Sequence, residues 1–330
     1  MNATTRPLTK LWYAAAMALA VCLGAATSPV LAQDFPTKPV RILVGAAPGG
    51  GTDIIARLVG DKLSQMWKQP VVVENRAGAS GSIAMDAVAK AAPDGHTLGM
   101  LILAHVVFEE LSKAPPYVIA RDLAPIVSIA RQSNILVVNP AMPVKTVTEL
   151  ITYLKANPGK VSYASAGAGS PAHLAAELFK LQAGVDMLHV PYKGAAPAIQ
   201  DVMAGTVQVM FAAAPSAIPQ VAAGKVRALA VTSDTRSAQT PDIPSLSESG
   251  IQYDVRDWQG LVGPVAMPAA LVARINGDTQ KVLEMPDVRA RIAGLGGEMA
   301  AGNPARFAEQ VRSETAKWKR VVRDAKMEIE

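Results

Sequence analysis

Short β-branched runs alternate with alanine-rich segments of helical period along most of this chain. "VRILVGA" (40–46) reads as a strand, and residues 53–66 as a helix with Ile54, Ile55, Leu58 and Val59 on one face. "VVVENR" (71–76) is the next strand, "GSIAMDAVAKAAPDG" (81–95) a helix stopped by Pro93 and Gly95, and "TLGMLIL" (97–103) a third strand. A second series begins near "NILVVNP" (134–140). It runs through a helix at 146–159, a strand "VSYAS" (161–165), and a helix at 170–184 with Ser170 as N-cap, Pro171 at its first position and Leu174, Leu178 and Leu181 on one face. "DMLHVPYKG", a helix at 196–205, the strand "TVQVMF", a helix near Pro215 and the strand "VRALAVTS" complete it. The strand-like "YDVRDWQGLVGP" (253–264) then precedes three helices, the last placing Phe307, Val311, Trp318 and Val322 on a common stripe. Repeated βα units predict an α/β chain with mostly parallel sheets. Two such series with a late return of the chain predict two lobes, with crossings near 128–138 and 253–262 and a cleft outside the strand C-termini.

Residues 1–32 break this pattern. Arg6 and Lys10 precede the apolar run "LWYAAAMALAVCLGAA", and Val30-Leu31-Ala32 offers a small-residue cleavage site, so the segment reads as a secretion signal and is set apart from the fold. Its apolar run is shorter than the roughly 20 residues of a membrane span. The sole cysteine, Cys22, lies inside it, in a poor lipoprotein box because Val21 stands where a small residue is wanted. The mature chain is therefore expected to be soluble and to lack disulfides, thiolate metal sites and cysteine nucleophiles. With Arg6 and Lys10 removed from the 32 basic residues, 30 remain against 27 acidic ones, and no basic stripe or aromatic series suggests nucleic acid.

Three loops sit where a strand feeds a helix: "GAAPGGGTD" (45–53), "SAGAGSPAH" (165–173) and "VPYKGAAPA" (190–198). Glycine allows close backbone approach, and the amides of the following helix start attract an anion, so three such loops around one cleft suit a carboxylate or phosphate. Tight βα turns alone would give the same pattern. Nucleotide readings are weaker: Gly51 stands where a phosphate-binding loop needs lysine, and "GAGSPA" meets G-x-G-x-x-A without a suitably placed acid. Asp53 beside the first loop is expected to stabilise the helix start and point away from the cleft. No G-x-S-x-G, H-E-x-x-H or other metal spacing occurs. His96, His105, His173 and His189 are scattered, with His105 and His173 the better cleft candidates because both follow strand ends.

The stretch from "DFPTKPVRILVGAAPGGGTDIIARL" to "AAPDGHTLGM", with "VSYASAGAGSPAHLAAELF", "HVPYKGAAPAIQDVMAGTVQVMF" and "DWQGLVGP", closely resembles the Bug receptors, the periplasmic solute-binding components of tripartite tricarboxylate transporters. The likeness spans essentially the whole mature chain. It implies an α/β, two-domain periplasmic-binding-protein (Venus flytrap) fold with a central, mostly parallel sheet in each domain. Its expected parts are a signal peptide at 1–32, a first domain from 33–133 and 255–330, and a second from 134–254. It implies capture of a small organic carboxylate in the interdomain cleft by a periplasmic monomer, delivery to integral-membrane permease subunits, no cofactor and no catalysis. Carried over by motif, the ligand would meet Ala47, Gly49, Gly50, Gly51 and Thr52 of the first loop. Ser165, Ala166, Gly167 and Ser170 of the second and Tyr192, Lys193 and Gly194 of the third would join them, with Ser80 and His105 at neighbouring strand ends. Ala212 and Ala213 replace an acidic and a polar residue common in the family, which makes Ala213 part of the expected distal pocket and implies a carboxylate without an ammonium group. A sensor that signals without transport would share all these features, and a hydrolase built on Ser80 or Ser170 is the enzymatic alternative.

Overall fold

The computed structural model describes residues 35–327; the expected signal segment with Cys22 lies outside them. From Pro36 onward the chain forms one compact unit. Its first series comprises β1 (Val40–Val44), α1 (Gly51–Trp67), β2 (Val71–Asn75), α2 (Ser82–Ala89), β3 (Thr97–Ile102), α3 (Leu103–Leu111) and α4 (Ile119–Asp122). The long strand β4 (Leu123–Val138) leads to α5 (Val147–Ala156), β5 (Ser162–Ser165), α6 (Pro171–Ala183), β6 (Leu188–Pro191), α7 (Ala195–Ala204), β7 (Val209–Ala213), α8 (Ala214–Ala222) and β8 (Arg227–Val231). β9 (Arg256–Pro264), α9 (Ala269–Glu284), α10 (Pro286–Gly294), β10 (Glu298–Met299) and α11 (Pro304–Asp324) complete it.

Each series builds a parallel three-stranded sheet. β2, β1 and β3 run parallel in one, and β6, β5 and β7 in the other. β1, β3 and β7 carry near-continuous apolar residues, as strands covered on both faces do; in β1, Val40, Ile42, Leu43 and Val44 are all buried. Antiparallel strands join the two sets in the order β2-β1-β3-β9-β4-β7-β5-β6.

β4 holds both sheets. Its first part pairs with β9 as far as Ser133 opposite Arg256, and its last part pairs with β7 from Asn134 opposite Ala213. The returning chain is stitched to β4 at the same level. Buried Thr232 accepts from the Asn134 N–H through Oγ1 at 2.8 Å and donates to the Val255 carbonyl at 2.7 Å, while its own N–H donates to Asn134 O. A single apolar cluster runs from Leu43 and Leu101 through Tyr163, Phe211 and Tyr253 to Phe307 and Trp318 of α11.

Two sequence expectations are corrected. Leu103 starts α3 instead of ending a strand, because "LAHVVFEEL" carries a helical stripe that a short apolar run conceals. Leu181 is 40% exposed, so Leu174 and Leu178 carry the buried face of α6 without it.

Candidate functional site

A cavity of about 410 Å³ opens where the two sheets meet. One wall is the start of α1, with Gly49, Gly51, Thr52, Ile54 and Ile55; Ile102 to Ala104 adjoin it. The other sheet contributes Pro171 at the start of α6 and Ala213, Pro215 and Ser216 at the β7–α8 junction. The paired strands β4 and β9 supply Ala130 to Gln132 and Asp257 to Gln259.

α1 begins without a side-chain cap, its N-cap Gly50 being extended. The first amides of a helix have no partner within it, so this end presents N–H donors and the positive end of the helix dipole. Not all three glycines donate outward. The Gly49 N–H is taken by Asp53 Oδ2 at 2.9 Å, and the Gly50 N–H by the Ala47 carbonyl at 3.4 Å. Asp53 also accepts from Asn75 Nδ2 at 2.9 Å and pairs with Arg57 at 2.9 Å. The Arg57 hydrogen bond, helped by the Gly49 amide and Asn75 and opposed by burial, brings the Asp53 carboxyl down to about 2. Asp53 is thus an ionised brace inside the loop, and the amides of Gly51 and Thr52 remain as the donors of this turn. Gly49 at φ +82° needs a residue without Cβ.

The Ser165–Ser170 loop satisfies itself, whereas α7 begins at Gly194 without a side-chain cap. Ser165 is fully buried, with Oγ 2.7 Å from His189 Nε2 and accepting the Gly167 N–H at 3.1 Å. Ser170 caps α6 by accepting the His173 N–H at 3.4 Å, and His173 Nδ1 accepts the Gly169 N–H at 3.0 Å. His173 and His189 stack at 4.1 Å, and burial followed by the neighbouring His189 pushes His173 down to about 4. Tyr192 donates through its hydroxyl to Asp201 at 2.6 Å, and Lys193 points into solvent. Ser165, Ala166, Gly167 and Ser170 are therefore not among the cavity's lining residues, and neither are Tyr192, Lys193 and Gly194.

His105 is placed away from the cavity as well. It is fully buried at the third position of α3, where Nδ1 accepts the Ile102 N–H at 3.1 Å. Gly45 and Gly81 close over its ring: a Cβ on Gly45 would sit 2.7 Å from His105 Nε2 and 2.6 Å from Gly81 Cα. Burial alone pushes His105 down to about 3, so it is a neutral packing and capping residue. Ser80 is exposed in a left-handed turn at φ 54°, and Ala47, Gly50 and Ser80 do not line the cavity. Of the residues expected from sequence, Gly49, Gly51, Thr52 and Ala213 are brought together there. Ala212 is fully buried beneath Ala213 in β7.

Pattern reading missed the polar strand pair. Gln132 lies opposite Asp257 and Ala130 opposite Gln259, so all four share one sheet face toward the cavity. Burial raises the Asp257 carboxyl to about 7 against the opposing effect of a Gln132 hydrogen bond. The polar interruptions "ARQS" and "RDWQ" within apolar strands were the available signal. A second cavity of about 440 Å³ borders Trp258 and Ser128. Ser128 Oγ and Trp258 Nε1 are fully buried without partners, so neither is presented to a ligand there. No cluster of His, Cys, Asp or Glu suited to a metal ion occurs among the described residues.

Residues 55–327 match the family described as tripartite tricarboxylate transporter family receptor. Protein BugT of Bordetella pertussis is 32% identical over 313 residues, covering 94% of this chain and 96% of its own. Among solved structures, Rpa4515 of R. palustris with adipate superposes with a TM-score of 0.77 at 33% identity, covering 89% of this chain and 99% of its own. MatC from Rhodopseudomonas palustris with bound malate gives 0.74 at 32% identity, covering 87% and 100%. The likeness carries the two-domain α/β binding-protein fold, and the chain belongs to the tripartite tricarboxylate transporter receptor family of Bug proteins.

Proposed function

We propose that this protein is a periplasmic, non-catalytic receptor that captures a small organic carboxylate between its two domains and delivers it to integral-membrane permease subunits. The observation that carries the reading is the uncapped start of α1 facing the cavity, with the amides of Gly51 and Thr52 unspent. A carboxylate there meets aligned N–H donors and a helix dipole of favourable sign. Solved relatives bound to adipate and malate support an acid of this class.

In this reading the domains divide at the change of partner along β4, between Ser133 and Asn134, and at the returning chain before β9. Motion about these crossings carries Pro171, the Ser165–Ser170 loop and the Tyr192–Gly194 loop toward α1, so that a bound acid gains contacts to both domains only when they close. The ligand then weights the closed form by its difference in affinity for the two forms.

Thermal unfolding of the chain lacking residues 1–32 tests the reading, against a panel of aliphatic dicarboxylates and tricarboxylates, aromatic acids and amino acids. Linkage predicts a rise in Tm with one class of carboxylate, by about 3 kcal/mol of added stability at a hundredfold excess over Kd. A folded protein whose Tm is unmoved by every carboxylate overturns it. Loss of uptake on deletion of the gene separates transport from sensing.

A further inference from the structure

The paired strands give the cavity a second polar surface that the glycine loop does not explain. Asp257 and Gln132 face each other across β9 and β4, with Gln259 beside them. Arg131 and Asp257 are the only ionisable side chains lining the cavity among the described residues. α1 contributes Ile54 and Ile55 next to the loop, α8 contributes Pro215 and Ser216, and the turn after α10 contributes Leu295 and Gly297, none of them charged. Charges just outside are already paired. Glu298 of β10 lies 3.4 Å from Arg131 and 3.7 Å from Arg256, Arg256 also meets Asp254 and Asp234, and Asp53 is held by Arg57.

We propose that Asp257 is a specificity-determining residue that receives a second carboxyl group of the ligand, one proton being shared between the two carboxyls, with Gln132 as its positioning residue. This rests on the carboxylate-receptor reading above and adds the second end of the ligand to it. A carboxyl in a desolvated wall with no cation holding it ionised keeps its proton near neutral pH, and so becomes a hydrogen-bond donor. A ligand carboxylate is the acceptor that uses this donor, as two closely placed carboxyls hold one proton between them. The proton comes from Asp257 where it is already protonated, and from solvent where it is not. Gln132 keeps its amide on the other Asp257 oxygen. The apolar residues between the polar surfaces suit a methylene spacer.

Calorimetric titration tests this with succinate through azelate, and with hexanoate as the single-carboxyl control, from about pH 5.5 to about pH 8.5 in buffers of different ionisation heat. For the dicarboxylate that binds, affinity should be level at the acid end and fall about tenfold per pH unit above roughly pH 7, with close to one proton taken up per ligand. Asp257→Asn, which donates at every pH, should flatten the profile and abolish proton uptake. Gln132→Leu should move the fall to higher pH, because its hydrogen bond lowers the Asp257 value. Hexanoate should show no such slope. A wild-type profile matching that of D257N, or an affinity that strengthens as pH rises, overturns the proposal. Binding without a pH slope removes this inference alone, while silence from every carboxylate also removes the reading beneath it. Thermal unfolding of each variant confirms that it is folded.

Discussion

Gly49 donates its amide to Asp53 four residues later, at 2.9 Å, so the acid beside the glycine loop shapes that loop from within. Simple Coulomb reasoning predicts that removing a negative charge next to an anion site tightens binding. The geometry predicts the reverse. Asp53→Ala releases Gly49, Asn75 and Arg57 together and lets the start of α1 fray. Carboxylate affinity should fall at least about tenfold and stability by roughly 2–3 kcal/mol, the cost of leaving several groups unpaired. Calorimetry and urea unfolding measure the two effects, and tighter binding by the variant would show that the field outweighs the geometry.

Thr232 ties the two crossing segments at one level through Asn134 and Val255. Valine matches its shape but cannot donate or accept, which leaves the Asn134 amide and the Val255 carbonyl short of a partner. Thr232→Val should lower stability by about 1–3 kcal/mol. If the domains move about this point, small-angle scattering should also show a smaller ligand-induced compaction than in wild type. Full stability would mean that water replaces the hydroxyl.

How much of this was legible in the sequence depended on the range of the interaction. Ser170 as N-cap and Pro171 at the first helical position follow from local chemistry, and Ser170 accepts the His173 amide as that pattern requires. The glycine loops were recognisable, but their amide partners were not. That Ser165 is spent on His189, or Gly49 on Asp53, depends on side chains reaching across a loop. β4 was read only from Asn134 onward because "ARQS" interrupts its apolar run. Those same polar residues form the cavity wall with β9, and only strand register brings Gln132 opposite Asp257. His105 misled for the opposite reason. Its place after β3 suggested a cleft residue, while Gly45 and Gly81 leave just enough space to bury its ring.

Ser80 has a left-handed backbone at φ 54°, ψ 27° in an exposed turn. An L-residue is strained there and glycine is not, so Ser80→Gly should raise stability by about 0.5–1 kcal/mol, less whatever is lost to greater freedom in the unfolded chain. The substitution also removes the hydroxyl expected by family likeness to meet ligand. Unchanged affinity in calorimetry would assign Ser80 to the turn, and a fall of tenfold or more would assign it to the ligand.

The acid limb of the stability profile reports two buried histidines and the half-buried Asp257, with opposing signs. His105 and His173 are held neutral, at about 3 and about 4 against 6.5 when unfolded, so each binds a proton on unfolding across that interval. Their stabilisation is complete above roughly pH 6.5 and is lost as pH falls toward the folded values. Asp257 works the other way. Held protonated up to about 7 against 3.8 when unfolded, it releases a proton on unfolding and is destabilising as pH rises through that interval. Near pH 5 the three groups together take up one proton, a slope of about 1.4 kcal/mol per pH unit. Asp257→Asn removes the released proton, so the slope should approach about 2.7 kcal/mol per unit and stability at pH 8 should rise. Urea unfolding of both proteins at a series of pH values checks the difference, to which every other titrating group contributes equally. Parallel limbs would place Asp257 in a more hydrated setting and remove the physical basis for its proton.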